Sequence, residues 1–368
     1  MIKIHSFHSE PAPLARFIDC ARALRQDDPQ WVPEFKAEVE AAFSAHSLFL
    51  SHGELRGFWA EEGGRPVARC AGIINRQLTS DGAPVGQIGF YECRRDPETS
   101  RAILEAALAW LHQRGVRRVL GPMNFSIWHD YRFMTRGFGA DPFLGEPRNP
   151  EFYPEQWTAS GFAPHARYFS WDLTEEHLRG MLAYAKHAAD PAGMAAAGLR
   201  HTPLDLDRFD QQLESVHRLL VDAFRGNAAF SPISLEEFRG IFAGVKPLLI
   251  PELVPLVWTA QQEAVGFGYL FPDFAEAVRK MNGETGLLAR ARFLMAKGRP
   301  DRLIFHTVAI REDHRRKGMV ETVLADLLGY ALDHGFTRGV GALAKEGPTM
   351  YSKTGAPSRE YTLFSKAI

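Results

Sequence analysis

The chain repeats one succession of strand and helix patterns, and this repetition limits its fold more than any other feature of the sequence. A hairpin pattern, two β-rich runs joined by a polar turn, occurs at 58–75 and again at 257–270. Each hairpin is followed by a strand, an amphipathic helix and another strand, at 85–93, 97–114 and 116–121 and again at 303–310, 319–334 and 337–343. Because these elements recur in the same order, we predict an α/β protein of two tandem halves, each with a mixed (α+β) sheet.

The ends of the repeated segments match as well. Each helix exits through a glycine, in WLHQRGVRRVLG at 110–121 and in YALDHGFTRGVG at 330–341, as a left-handed cap requires. Each half then closes with an aromatic residue four positions before a glycine, Trp157 in the first half and Tyr351 in the second. A helix start follows the first half, which predicts domains at 1–175 and 176–368.

Composition excludes several functional classes. The formal net charge is −1 and the pI is about 6.9, so we do not expect a globally basic nucleic-acid binder. The three cysteines lack the spacing of a zinc site or a disulfide framework, which predicts no metal and a reducing cytoplasm. No window approaches 18 uncharged apolar residues and no signal peptide is evident, so we expect no membrane span; docking on the inner membrane surface stays open.

A turn rich in hydrogen-bond donors lies in the second half, in the segment VAIREDHRRKGMVETVLADLL at 308–328. Successive backbone N–H groups in such a turn face one point, and the following helix adds the positive end of its dipole. Arg315, Arg316 and Lys317 add charge, and Gly318 lets the backbone approach a ligand closely. This pattern predicts a pyrophosphate site, with a solvated charged turn as the alternative.

The same turn resembles the signature of the Gcn5-related N-acetyltransferase superfamily: Arg or Gln, two residues, Gly, one residue, then Gly or Ala. The chain supplies Arg315, Gly318 and then Val320, which replaces the usual small residue. The resemblance implies acetyl-coenzyme A or a longer acyl-coenzyme A as co-substrate and an amine as acceptor. The coenzyme contacts that it implies come from Val308, Ala309, Ile310, Arg315, Arg316, Lys317, Gly318, Met319 and Val320.

Two further residues take catalytic roles if the resemblance holds. The superfamily often carries a general base on the central strand, and the matching position here is His306, whose ordinary pKa of about 6.5 suits that role. It also places a Tyr four residues before a Gly to protonate the departing thiolate, and Tyr351 has this spacing. The alternatives are a histidine that packs in the core or faces solvent and a tyrosine that only packs.

The first half departs from this pattern. No comparable turn follows its strand, Glu98 would repel a phosphate at the helix start, and Trp157 replaces the tyrosine. We therefore interpret the first half as a degenerate copy that does not bind coenzyme A. Its loops at 121–131 and 149–153 are dense in polar and aromatic residues, which suits either an acceptor site or ordinary packing.

The resemblance extends from about residue 27 to the end, to a bacterial family with tandem acetyltransferase-like halves and to the bacterial ceramide synthases, which N-acylate a long-chain amine. It implies N-acyl transfer from an acyl-coenzyme A to an amine. Long-chain acylation of a lipid amine and ligand binding without catalysis remain alternatives. The acceptor, the acyl length and the oligomeric state are not indicated by the sequence.

An insertion in the second half, at about 273–302, carries a basic amphipathic helix pattern at 287–297. Such a segment suits an anionic membrane surface or a lid over an acyl chain, while a helix packed on the domain with solvated cations is the alternative. Nucleic-acid binding through this patch and the HRRK turn has less support, because no nucleic-acid motif accompanies them.

Overall fold

A computed structural model describes residues 1–80, 82–315 and 318–368. The strands of the first half are β1 (Lys3–Phe7), β2 (Gly53–Glu62), β3 (Arg65–Ser80), β4 (Ala83–Cys93), β5 (Arg118–Gly121), β6 (Phe133–Arg136) and β7 (Ala163–Leu173). Its helices are α1 (Pro11–Arg25), α2 (Lys36–Ala42), α3 (Pro97–His112) and α4 (Tyr153–Ala159). The strands of the second half are β8 (Arg200–Thr202), β9 (Leu256–Trp258), β10 (Ala264–Pro272), β11 (Arg302–Ile310), β12 (Arg338–Lys345) and β13 (Arg359–Ala367). Its helices are α5 (Glu175–Ala188), α6 (Pro191–Ala196), α7 (Phe209–Ala223), α8 (Leu235–Phe242), α9 (Ala275–Met281), α10 (Leu287–Ala296) and α11 (Met319–Asp333).

The strands of the described residues form one mixed sheet in the order β1-β2-β3-β4-β5-β13-β7-β12-β11-β10-β9-β8, with β6 paired to β13. Each half contains one parallel pair, β4 with β5 and β11 with β12, while the other pairs are antiparallel. The predicted duplication and the mixed α/β class are therefore confirmed.

The two halves exchange their last strands. Strand β13 of the second half lies between β5 and β7 of the first, and β7 lies between β13 and β12. The register is equivalent on both sides, because Phe364 of β13 pairs with Gly121 and Trp171 of β7 pairs with Gly341. The chain passes from one half to the other between β7 and α5, yet neither half completes its sheet without a strand of the other.

The helix that connects the two parallel strands, α3 in the first half and α11 in the second, packs differently in the two halves. In the first half, α3 lies directly on the sheet: Trp110 packs over Gly72, and Leu111 packs over Gly86 so closely that a Cβ there would meet its side chain at 3.0 Å. In the second half, α11 packs on α5 through a core that includes Leu178 and Leu328. A groove separates part of α11 from β10 and β11.

Candidate active site

The parallel strands β11 and β12 separate in the middle of the sheet. Their pairing ends at Phe305 and Gly341, although β11 continues to Ile310 and β12 to Lys345. On its other side β11 carries a bulge, because Tyr269 and Leu270 of β10 pair with Thr307 and Phe305 and leave His306 as the extra residue. Beyond this point β11 and β12 no longer pair, and the sheet has an opening there at the predicted site.

An apolar groove runs along the α11 face of this opening, with a volume of about 550 Å³ that includes its open mouth. Its walls come from β10, β11 and α11. Val308, Val320 and Met350 line it and remain 52%, 36% and 38% exposed. An extended apolar segment of a ligand would bury these side chains and gain the free energy of removing them from water.

The N-terminus of α11 lies at one end of the groove and has no side-chain cap among the described residues. In the first half, Asp96 fills the equivalent position at α3, where its carboxylate accepts hydrogen bonds from the backbone N–H groups of Glu98 and Thr99. Backbone N–H groups at an uncapped helix start are suited to bind an anion. The two helix starts therefore differ, because a carboxylate closes that of α3 and no described side chain caps that of α11.

The residues predicted to contact the coenzyme do not all face the groove. Ile310 and Met319 line it together with Val308 and Val320, and Arg315 is exposed. Ala309 is buried on the opposite face among the residues that pack under α7, so only its backbone is available. Arg316 and Lys317 lie outside the described residues.

Gly318 is enclosed by the loop between α5 and α6. Its φ is +80°, and a Cβ there would lie 2.7 Å from Asp190 Cβ and 2.9 Å from the carbonyl oxygen of Ala188. The hydroxyl of Thr322 donates to the Gly318 carbonyl at 2.7 Å and accepts from the Asp190 backbone N–H at 3.0 Å. This packing and the left-handed backbone already require glycine here, and its approach to a pyrophosphate stays a prediction.

His306 lies on the sheet face opposite α11. Its ring centroid is 5.7 Å from that of Tyr269 and 5.8 Å from that of Phe271, and its Nδ1 is 2.7 Å from the Thr307 hydroxyl. His306 remains exposed in the opening. Partial desolvation by the surrounding protein and the positive charge of Arg132 lower the pKa of His306 to about 4, below the ordinary value expected from sequence. The imidazole is therefore neutral near pH 7, and donation from Nδ1 to Thr307 would leave the Nε2 lone pair free.

Tyr351 is buried on the α11 face of the opening. Its ring packs directly on Gly341, where a Cβ would come within 2.7 Å of it, and lies 5.7 Å from the Trp171 ring centroid. Burial raises the pKa of the phenol above its ordinary value, so the hydroxyl stays protonated. Trp157 occupies the same position over Gly121 in the first half, where it offers no acidic hydroxyl.

No sequence pattern indicates Arg132, a first-half residue that contacts β12 of the second half beside the opening. Its guanidinium lies over the rings of Tyr131 and Tyr168, 3.8 and 4.1 Å from their centroids, and donates to the Leu343 carbonyl of β12 at 3.4 Å. The loop at 121–131, just before Arg132, is one of the predicted acceptor regions, but nothing local in the sequence connects Arg132 with His306.

A cleft adjoins this arginine, lined mostly by the first half and in smaller part by Val278, Glu237, Gly240 and Ile241 of the second half. It consists of two neighbouring cavities of about 1370 and 1490 Å³, open mouths included, which we call the inter-half cleft. Both cavities are lined by Glu34, Glu38 and Asp130. Asp130 and Glu38 are exposed to the solvent in the cleft. Partial desolvation by the cleft walls and the charge of Glu34 raise the pKa of Asp130 to about 6, and partial desolvation with the charge of Asp130 raises the pKa of Glu38. No sequence pattern indicates Glu34 or Glu38, which lie far from this loop along the chain.

No protein-family model matches the chain. It is 28% identical over 280 residues to bacterial ceramide synthase of Caulobacter vibrioides, covering 74% of this chain and 71% of that protein. It is 22% identical over 273 residues to protein YghO of Escherichia coli, covering 73% of this chain and 68% of that protein.

Among solved structures, a tandem protein of the GCN5-related N-acetyltransferase fold from the clavulanic acid biosynthesis pathway matches 100% of this chain and 98% of its own, with a TM-score of 0.56 at 12% identity. A probable N-acyltransferase from Enterococcus faecalis matches 100% of this chain and 73% of its own, with a TM-score of 0.55 at 8% identity. The chain therefore has the tandem fold of these acetyltransferases, as the resemblance of its turn and its duplication predicts.

Proposed function

We propose that the chain transfers an acyl group from an acyl-coenzyme A to an amine by direct attack. The observation that carries this proposal is the opening between β11 and β12, with an apolar groove and an uncapped helix start on one face and the inter-half cleft beside the other. In the described part of the first half, the equivalent helix α3 packs directly on the sheet and Asp96 caps its start, so we assign donor binding to the second half and part of acceptor binding to the first.

The residues around the groove fit a coenzyme A thioester. The N-terminus of α11 with Arg315, Arg316 and Lys317 would hold the pyrophosphate, because oriented N–H groups and cations together favour an anion. The apolar walls at Val308 and Val320 would hold the extended pantetheine arm. When bound, the thioester supplies an activated carbonyl in the opening.

The transfer forms a carbon–nitrogen bond and breaks the carbon–sulfur bond. A bound ammonium would first release one proton to solvent, which frees the nitrogen lone pair. As the neutral amine attacks, His306 would accept the second nitrogen proton at Nε2, directly or through water, and Tyr351 would give its proton to the departing sulfur. A pKa of about 4 makes His306 a weak base, but the attacking nitrogen becomes strongly acidic as the new bond forms. A backbone N–H at or near Val308 would polarise the thioester carbonyl, and holding both substrates in one site supplies much of the rate.

The lining of the inter-half cleft favours an amphiphilic amine, such as a long-chain lipid amine, over a small polar one. Leu48, Phe125 and Ile241 give it apolar walls beside the carboxylates of Glu38 and Asp130. A carboxylate attracts an ammonium group, and apolar walls accept an alkyl chain. The likeness to a ceramide synthase supports the same acceptor class.

Calorimetric titration with coenzyme A, acetyl-coenzyme A and palmitoyl-coenzyme A, below their micelle concentrations, tests the donor assignment. We expect about one site per chain, followed by turnover with a long-chain amine. A preference for the palmitoyl donor supports lipid-amine acylation. Binding without turnover would favour a ligand-binding protein, and no binding would contradict the groove assignment.

Changing Val320 to Glu should weaken coenzyme binding about tenfold or more. Val320 is the second residue of α11, and a carboxylate there would repel a pyrophosphate at the helix start. The first half already carries Glu98 at the second position of α3, so Glu98→Val is the matched control and should leave affinity unchanged. Equal affinity of Val320→Glu and the unchanged protein would place the anion elsewhere.

The raised pKa of Asp130 predicts that acceptor binding depends on pH. Its pKa of about 6 means that it gains its negative charge as pH rises through this value, so the KM for a cationic amine should fall between about pH 5 and pH 7. Asp130→Asn should raise the KM and remove that dependence while kcat changes little. Glu40→Gln serves as the control, because Glu40 pairs with Lys36 on α2 and does not line the cleft. A KM profile that Asp130→Asn leaves intact would exclude Asp130 from acceptor binding.

A further inference from the structure

Helix α10 of the insertion presents an apolar edge to solvent. Leu287, Leu288, Leu294 and Met295 are 86%, 65%, 62% and 78% exposed, while Phe293 packs inward against Phe274. Positions 287 and 294, like 288 and 295, lie two turns apart on the same helix face, so the four side chains form one continuous strip. Single exposed apolar side chains are ordinary, but a contiguous strip marks an interaction surface.

The cations around this strip have no acidic partners. Arg290, Arg292, Lys297 and Arg299 are exposed and form no ion pair with a carboxylate among the described residues. Arg290 donates instead to the backbone carbonyl of Thr285 at 3.0 Å. Elsewhere in the described part of the chain, exposed arginines commonly have carboxylate partners, as Arg179 has in Glu175. Apolar side chains flanked by unpaired cations are complementary to an anionic lipid surface.

We propose that α10 docks the protein on an anionic membrane surface, with the apolar strip inserted at the headgroup boundary and the four cations against lipid phosphates. Within the described residues, no helix is both long and apolar enough to cross a bilayer. We assign this surface to one partner, an anionic bilayer.

The hairpin of α9 and α10 also forms part of the rim of the inter-half cleft. Val278 of α9 lines the cleft, and the turn after α9 is held to the first half by a hydrogen bond from the Lys36 backbone N–H to the Gly283 carbonyl at 2.8 Å. Arg22 donates a hydrogen bond to the backbone carbonyl of Asn282 at 3.2 Å and forms an ion pair with Glu284 at 3.0 Å. Docking would therefore bring the cleft rim to the bilayer, and the conclusion that the bilayer delivers the amine rests on the proposed function.

Cosedimentation with vesicles tests the docking without any activity measurement. We expect binding to vesicles of phosphatidylglycerol and phosphatidylcholine that falls at least tenfold on pure phosphatidylcholine and weakens with salt. The triple variant Leu287→Ser, Leu294→Ser, Met295→Ser and the double variant Arg290→Glu, Arg292→Glu should each lower binding at least tenfold. Two control variants change exposed residues away from α10, an aromatic residue in Tyr184→Ser and an arginine in Arg179→Glu. Neither control should lower vesicle binding.

Each outcome bears on one proposal. Loss of vesicle binding in the variants, with an unchanged melting temperature, supports docking through α10. Absence of binding by the unchanged protein, or equal binding by the triple variant, would overturn it. So would a dimer in sedimentation that the triple variant converts to a monomer, because the strip would then be covered by a second copy. Vesicle binding without acyl transfer would leave docking in place and contradict the proposed function instead.

Discussion

Replacing Tyr351 with Phe should lower the turnover number about a hundredfold or more while coenzyme affinity changes less than about twofold. The phenylalanine ring would keep its contacts with Gly341 and Trp171, so only the hydroxyl is lost. Burial holds the pKa of the phenol above its ordinary value, so the group remains a proton donor up to about pH 10. Without it, the coenzyme leaves as an unprotonated thiolate. Steady-state kinetics and titration of the same variant separate the two effects.

Two controls make this result specific. Tyr184→Phe removes an exposed hydroxyl on α5 and should not change turnover. Trp157→Tyr introduces a hydroxyl at the equivalent position over Gly121 and should not increase turnover, because α3 packs directly on the sheet where the second half has its groove. An unchanged turnover number in Tyr351→Phe would remove Tyr351 from the mechanism and leave it a packing role.

The sequence predicts those parts of the fold that depend on local patterns. Helix α11 and the preceding turn are recognisable because Gly318 and the apolar stripe of the helix lie within one short segment. The exchange of β7 and β13 is not recognisable, because Trp171 and Phe364 have the same alternating pattern whether their strand pairs within its own half or with the other. Pairing partners are set by the whole sheet.

The same distinction separates the predicted and unpredicted parts of the site. The spacing of Tyr351 before a glycine is a local signal, whereas the environment of His306 depends on Arg132 from the other half. A sequence pattern around His306 suggests an ordinary pKa, and only tertiary structure places this exposed side chain near the cation of Arg132. The carboxylate of Glu34 reaches the inter-half cleft from a segment with no catalytic pattern at all.

Arg359 holds the exchanged strand in place. It begins β13 with no exposed surface, and its guanidinium lies 2.9 Å from Glu146 and 2.8 Å from Asp172 of β7. A third group, the backbone carbonyl of Asp141, accepts from it at 2.8 Å. Because the carboxylate of Glu146 is also buried and its other cation, Arg148, lies farther away at 3.8 Å, removal of Arg359 would leave this carboxylate without its close ion-pair partner.

Arg359→Leu should therefore lower the free energy of unfolding by about 3–5 kcal/mol, measured by urea or thermal denaturation. Arg338→Leu is the matched control, since Arg338 also begins a strand but has an exposed pair with Asp301, just before β11, and its loss should cost about 1 kcal/mol or less. Burial raises the pKa of Glu146 to about 7 even beside Arg359, and loss of the cation raises it further. A carboxyl whose pKa is higher in the folded state destabilises that state as pH rises, so the deficit of Arg359→Leu should be smaller at pH 5 than at pH 8. Adding Glu146→Gln should recover part of the loss, because the buried charge is then gone. A deficit no larger than that of Arg338→Leu, at either pH, would mean that the exchanged strand does not depend on this pair.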